Sequence, residues 1–168
     1  MKTSPGAKKE RRTTEIGWRE YVSLPDIGIA SMAAKIDTGA RTSALHTADH
    51  ELLELDGERW IEFSVPSRRP SLRTRVRLLD ERSIKNTSGI AEQRPVIRTT
   101  LILARRKWHI ELSLADREEM KFDLILGRTA IRDHSIVVNP GRSFVLGHPG
   151  ASKKNKEGAT NRRIRAPS

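Results

Sequence analysis

Residues 33–40 read Ala33-Ala34-Lys35-Ile36-Asp37-Thr38-Gly39-Ala40, so a small, apolar run leads into an acid, a hydroxyl residue and a glycine. The run before Asp37 predicts a buried β-strand, and Gly39 predicts a tight loop directly after it. A carboxylate at the end of a buried strand is held rigidly and partly away from water, which is typical of catalytic acids. Asp37 is therefore the first candidate for a catalytic residue.

The sequence around this stretch has mainly the pattern of short strands. Alternating or β-branched segments occur at residues 61–65, 96–103 and 108–114, and such segments are typical of half-buried strands. Many short strands separated by turn residues predict an all-β barrel or sandwich.

Turn and helix signals are few. Asp56-Gly57 predicts a two-residue hairpin turn, because glycine tolerates a positive φ, and a second hairpin is expected around residues 105–107. Residues 127–133 predict one short helix near the C-terminal end of the core. A longer helix around residues 115–122 is an alternative, since that segment contains good helix formers.

A second informative segment, Leu124-Ile125-Leu126-Gly127-Arg128, is an aliphatic run that ends in Gly-Arg. Together with residues 36–40, and in this order, it resembles the two signature segments of retropepsin-like aspartic proteases. The closer resemblance is to the bacterial retropepsin-like proteins associated with RimK-type ATP-grasp ligases, a family often labelled ATP-dependent zinc protease. It covers about residues 15–147 and is carried by residues 35–46, 94–96, 115–120 and 126–128.

This resemblance implies a closed retropepsin-like β-barrel of a single lobe, with Asp37 as the catalytic aspartate. It implies that the hydroxyl of Thr38 joins two active-site loops and that Arg128 supports the loop as an ion-pair partner. The full set that it assigns to loop support is Thr38, Gly39, Ala40, Gly127 and Arg128. An ATP-grasp ligase is the partner that the family association implies.

The chemistry of an aspartic protease requires a second carboxyl group. One ionised carboxyl acts as base toward water and one protonated carboxyl acts toward the carbonyl, and two carboxyls roughly 3 Å apart share a proton. The chain contains one Asp-Thr-Gly. We therefore expect a homodimer in which Asp37 of both copies forms the dyad, and a retropepsin-type aspartic endopeptidase acting on a peptide or protein.

The net charge of +11 is concentrated at the two ends of the chain. Residues 1–12 carry +4 and residues 148–168 carry +5, whereas residues 13–147 carry only +2. Both ends are poor in large apolar residues and are predicted to be disordered basic tails around one folded domain. Weak polyanion binding through these tails is a further hypothesis.

Other segments of the sequence are further candidate sites. Residues 85–89 are either the tip of a substrate-covering flap or a surface loop. The arginines between residues 72 and 78 predict a strand with one charged face, either solvated or bound to an anion.

His46 and His50 are expected on extended chain, roughly 13 Å apart and too far to share an ion. No phosphate-binding glycine loop is present, so neither a metal nor another cofactor is expected.

Composition limits the remaining function classes. The chain lacks cysteine, which excludes disulfides and a thiol nucleophile. No apolar run is long enough for a membrane span, and a cytoplasmic location is expected.

Two alternatives to the protease stay open: a non-catalytic module of the same fold that regulates an ATP-grasp ligase or a ribosomal partner, and a small nucleic-acid-binding β-barrel.

Overall fold

The computed structural model describes residues 12–66, 71–86, 88–116 and 121–149. Within these residues the chain is nearly all-β, as expected, and its helical segments are the 3-10 turns Pro25–Ile27 and Arg128–Ala130. No helix in the described ranges is long and apolar enough to cross a membrane. The strands are β1 (Thr14–Gly17), β2 (Arg19–Leu24), β3 (Ile29–Asp37), β4 (Ser43–His46), β5 (Ala48–Leu55), β6 (Glu58–Val65), β7 (Leu72–Arg77), β8 (Asp80–Lys85), β9 (Ala91–Leu103), β10 (Arg106–Ala115), β11 (Leu124–Gly127) and β12 (Ile136–Asn139).

The strands form three sheets. The largest has the order β10-β4-β11-β3-β2-β9-β8, and an additional pairing of β10 with β9 joins six of these strands into a ring. The pairing between β2 and β9 consists of Ser23 with Ile102 alone, so the closed barrel stays a prediction. Strands β5-β6-β7 form a second sheet, and β1 pairs with β12 in a third.

The hydrophobic core is built from the inward faces of these strands. In β3 the buried residues Met32, Ala34 and Ile36 alternate with half-buried ones, as the period of two in a strand requires. Strands β10 and β11 add Leu112, Leu114, Leu124 and Leu126, all at most 1% exposed. Burial of this apolar surface is the main favourable term in folding, and it fixes the end of β3 in space.

Both predicted hairpins are present. Asp56 and Gly57 connect β5 to β6 with φ values of 53° and 75°, which confirms the turn. The second turn consists of Ala104 and Arg105, slightly before the expected position, because the β9–β10 ladder continues until Leu103 pairs with Arg106.

The helix predicted at residues 127–133 is a 3-10 turn, Arg128–Ala130, followed by a further turn to Asp133. The alternative helix at residues 115–122 falls partly on residues 117–120, which lie outside the described residues, and Ala115 ends a strand. Most of the two predicted tails, residues 1–11 and 150–168, also lies outside the described residues.

Candidate active site

The strand that leads to the candidate catalytic acid ends beside the strand that leads to Gly-Arg. β11 pairs with β3 in parallel, with Leu126 opposite Ile36 and Gly127 opposite Asp37. Because the two strands run in the same direction and end together, the loops that follow them meet at one edge of the sheet. The structure thus brings together the two segments that lie almost 90 residues apart in the sequence.

The carboxylate of Asp37 has a defined orientation. Its Oδ1 accepts hydrogen bonds from the backbone N–H of Gly39 at 3.1 Å and of Ala40 at 3.2 Å, the arrangement of an Asx turn. Its Oδ2 lies 3.7 Å from Lys35 Nζ, and the side chain of Asp37 is 33% exposed. The acid is therefore held by its own loop while it stays accessible to water.

Gly127 brings the second loop close to the first. A Cβ atom at this position would lie 2.6 Å from the carbonyl oxygen of Thr42. Real Cβ atoms essentially never make so short a contact. The backbone N–H of Gly127 donates to Ser43 Oγ at 3.0 Å. Only glycine permits this approach of the two backbones without a shift of the chain.

Arg128 links the two loops directly. Its Nη1 donates to the carbonyl oxygen of Gly39 at 3.0 Å, and its backbone N–H donates to the carbonyl oxygen of Ala40 at 2.8 Å. The next residue, Thr129, donates its hydroxyl to Arg41 O at 2.7 Å. Arg128 is therefore in contact with the Asp37 loop through backbone acceptors, whereas its role as an ion-pair partner stays a prediction.

Thr38 stands apart from this set. It is exposed, and within the described part of this single chain no hydrogen bond of its hydroxyl is recorded. Hydrogen bonds therefore join Asp37, Gly39, Ala40 and Arg128. Gly127 lies opposite Asp37 and donates to Ser43 instead, and Thr38 is exposed in the loop. The predicted contact of Thr38 with a second loop stays a prediction.

The candidate flap is a hairpin between β8 and β9. Asn86 organises its tip, because its Oδ1 accepts from the backbone N–H of Ser88 at 3.0 Å and of Ile90 at 2.9 Å. Gly89 adopts a φ of 78°, and residue 87 lies outside the described residues. Ile90 is 62% exposed, so the tip presents an apolar side chain to solvent, and its role as a flap stays a prediction.

Sequence reasoning missed the charged face of this hairpin. Arg82 on β8 makes two hydrogen bonds to Glu111 on β10, and its Nε lies 3.0 Å from Asp80 Oδ2. These bonds hold the pKa of Glu111 below its usual value. Arg82 and Glu111 line a cleft of about 30 Å³ together with Thr42 and Thr129, so the ion pair lies next to the Asp37 loops. The two residues are far apart in sequence and follow no local pattern that could have revealed them.

The predicted arginine strand is β7, and its charges are compensated. Arg73 and Arg75 pair with Glu62, and Arg77 pairs with Glu58. Hydrogen bonds from the two arginines hold the pKa of Glu62 below its usual value. This pairing favours a solvated face rather than an anion-binding one.

The two histidines of the metal hypothesis lie on different strands. His46 ends β4 and His50 lies in β5, where Asp49 interrupts the ladder with a φ of 53°. The hydroxyl of Thr47 is hydrogen-bonded to His50 Nε2. In the ranges that the structure describes, no group of three or more His, Cys, Asp or Glu side chains is arranged to hold a metal ion.

Comparisons with known proteins point to one family. A family model described as RimB-like, for the retropepsin-like aspartic endopeptidase RimB, matches residues 15–149. A Desulfotalea psychrophila protein named "Probable alpha-L-glutamate ligase" is 41% identical over 136 residues, and a Shewanella pealeana protein of the same name is 34% identical over 139 residues. These matches cover 79% and 80% of the chain but only 29% and 30% of the relatives, so the chain spans less than a third of their length.

Two solved structures are also similar. A Legionella pneumophila protein of unknown function, from the DUF785 group, matches 79% of the chain and 97% of its own length, with a TM-score of 0.67 and 26% identity. The protease of simian foamy virus matches 68% of the chain and 91% of its own length, with a TM-score of 0.39 and 14% identity.

Proposed function

The chain belongs to the RimB-like family of retropepsin-like aspartic endopeptidases, and we propose that it hydrolyses peptide bonds as a homodimer. The observation that carries the proposal is the orientation of Asp37, whose carboxylate is fixed by two backbone N–H groups and remains a third exposed. One such carboxylate is half of an aspartic dyad. A second copy of the chain, related by a two-fold axis near Asp37, would supply the other carboxylate.

In the proposed reaction one Asp37 is ionised and its counterpart in the second copy is protonated. The ionised carboxylate takes a proton from water, and the water oxygen bonds to the carbonyl carbon of the peptide. The protonated carboxyl gives its proton to the carbonyl oxygen, which forms a neutral tetrahedral diol. The carboxyl that took the proton from water gives it to the peptide nitrogen as the C–N bond breaks. One diol hydroxyl gives its proton to the other carboxylate as the carbonyl re-forms, so the pair of carboxyls again shares one proton.

Peptides that contain glutamate are the substrates to test first. The relatives named alpha-L-glutamate ligase carry a matching segment. Three cationic residues lie in or beside the segment that follows β3, namely Lys35, Arg41 and Arg128. Positive charge near Asp37 would stabilise a bound acidic peptide electrostatically.

The test is cleavage of internally quenched peptides, neutral and glutamate-rich, by the wild type and by Asp37→Asn between pH 4 and pH 7. We expect cleavage by the wild type alone, with both proteins folded and of equal mass in solution. Equal cleavage by the two proteins would refute the role of Asp37, and no cleavage of any peptide would refute the peptidase activity of this chain.

The second candidate function is a non-catalytic module that regulates a ligase. It is favoured by the relatives named as ligases, in which the matched segment is about 30% of the length. For such a module, Asp37→Asn would affect the activity of an added glutamate ligase in the same way as the wild type does. A peptidase that opposes a ligase would lose its effect with this substitution.

A further inference from the structure

A cavity of about 330 Å³ lies away from the Asp37 loops, between β2, the turn that joins β9 to β10, and the segment after β12. Tyr21 in its wall pairs with Ala33, four residues before Asp37 on β3, a separation of about 13 Å along a strand. The residues that line it include Tyr21, Ile102, Arg105, Val145, Leu146 and His148. The proposed peptidase reaction uses none of them.

One wall of the cavity is held in place by a buried acid. Glu20 is fully buried, and its carboxylate accepts from the backbone N–H groups of Gly17 at 2.7 Å, Val145 at 2.9 Å and Leu146 at 3.2 Å. Charge-assisted hydrogen bonds of this kind are stronger than neutral ones. They fix the segment that lines the cavity against β2.

Aromatic stacking completes this wall. The ring of Tyr21 stacks on Phe144 with a centroid distance of 4.5 Å and on His148 with a centroid distance of 3.8 Å. Of these three rings, Tyr21 and His148 line the cavity, and Phe144 packs behind them on Tyr21.

The opposite side of the cavity is the turn Ala104-Arg105. Both residues adopt left-handed φ values, 53° and 58°, a conformation that glycine or asparagine adopts at lower cost. Here an apolar and a cationic side chain occupy the turn, and both residues line the cavity. Within the described residues Arg105 has no recorded ion pair, unlike the arginines of β7, so its charge is available to a ligand.

We propose that this cavity binds a small organic anion with an apolar body. The apolar part packs against Tyr21, Ile102 and Leu146, and the anionic group pairs with the guanidinium of Arg105. The volume lies at the lower end of the range for small-molecule sites, and apolar walls with a single charged group are typical of such sites.

The test uses two fluorescent probes of similar size on the full chain. The anionic probe is 8-anilinonaphthalene-1-sulfonate, and the neutral probe is N-phenyl-1-naphthylamine, which lacks the sulfonate. We expect both to bind the wild type at one site, and Arg105→Gln to weaken the anionic probe at least fivefold while the neutral probe binds unchanged. Arg105→Lys keeps the charge and should retain most of the anionic binding.

Arg132→Gln is the matched control, because Arg132 is an exposed arginine that pairs with Asp133 and does not line the cavity. This variant should bind both probes as the wild type does. The proposal would be overturned if the probes show no saturable binding at one site. It would also be overturned if Arg105→Gln and Arg132→Gln change the binding of the anionic probe equally. Peptide cleavage is expected to be the same in all three variants, so the result does not depend on the proposed peptidase function.

Discussion

Gly127 lies directly opposite Asp37 in the parallel pairing of β11 with β3. This register places the Gly-Arg segment against the loop that holds the acid, and Arg128 then reaches the carbonyl oxygen of Gly39. The position of Asp37 is thus determined by two loops that stabilise each other rather than by its own strand alone.

The first prediction concerns this close approach. Gly127→Ala would place a Cβ atom 2.6 Å from Thr42 O and 2.8 Å from Arg41 O, so the loops must separate. We expect a loss of about 1–3 kcal/mol in the free energy of unfolding, as for overpacked sites. Urea denaturation of the variant and of the wild type measures this loss. Gly141→Ala is the control, because its Cβ would meet only the side-chain oxygen of Asn139 at 3.3 Å, and an equal loss there would contradict the account.

The sequence predicted this part of the site well because its signals are local. The apolar run before Asp37 and the run before Gly127 each specify a strand, and both hairpin turns were expected from nearby residues. The contacts that could not be predicted join distant residues with no shared pattern. Arg82 with Glu111 is one example, and Glu20 with Val145 is another.

The second prediction concerns Glu20, a fully buried acid that accepts three backbone N–H groups. Glu20→Ala leaves these donors without their acceptor, and we expect a loss of roughly 3 kcal/mol or more in the free energy of unfolding. Glu20→Gln retains one acceptor oxygen and should lose about half as much. Denaturation midpoints of the two variants provide the measurement, and equal stability of Glu20→Ala and the wild type would contradict it.

The third prediction concerns the candidate flap. The pair Arg82–Glu111 links β8 to β10, and β8 otherwise pairs with β9 alone in its sheet. Glu111→Gln should therefore increase amide hydrogen exchange in β8 with little change in global stability, since a partly exposed pair contributes about 1 kcal/mol or less. Glu54→Gln is a control at an exposed acid that lacks a recorded ion pair within the described residues. Unchanged exchange in Glu111→Gln would show that the pair does not hold the hairpin.

The fourth prediction concerns the pH dependence of stability. Displacement of water around the ring of His50 lowers its pKa below the ordinary value of 6.5, while Asp116 and Asp49 oppose this effect. The unfolded chain then binds the proton more readily, so stability falls as the pH drops below about 6.5. His50→Gln should remove this part of the decline, below about 1 kcal/mol because solvent reaches the ring. Denaturation at pH 7.5 and at pH 5 tests it, and identical declines in both proteins would contradict it.

The most direct test of the shared dyad is a subunit-mixing titration. Wild type at constant concentration is mixed with increasing amounts of Asp37→Asn, and the rate of cleavage of a quenched peptide is measured after exchange of subunits. If Asp37 of two copies forms the dyad, mixed dimers are inactive and the rate falls steadily toward zero as the variant is added in excess. A rate that stays constant whatever the amount of variant would contradict the account, because each chain would then act alone.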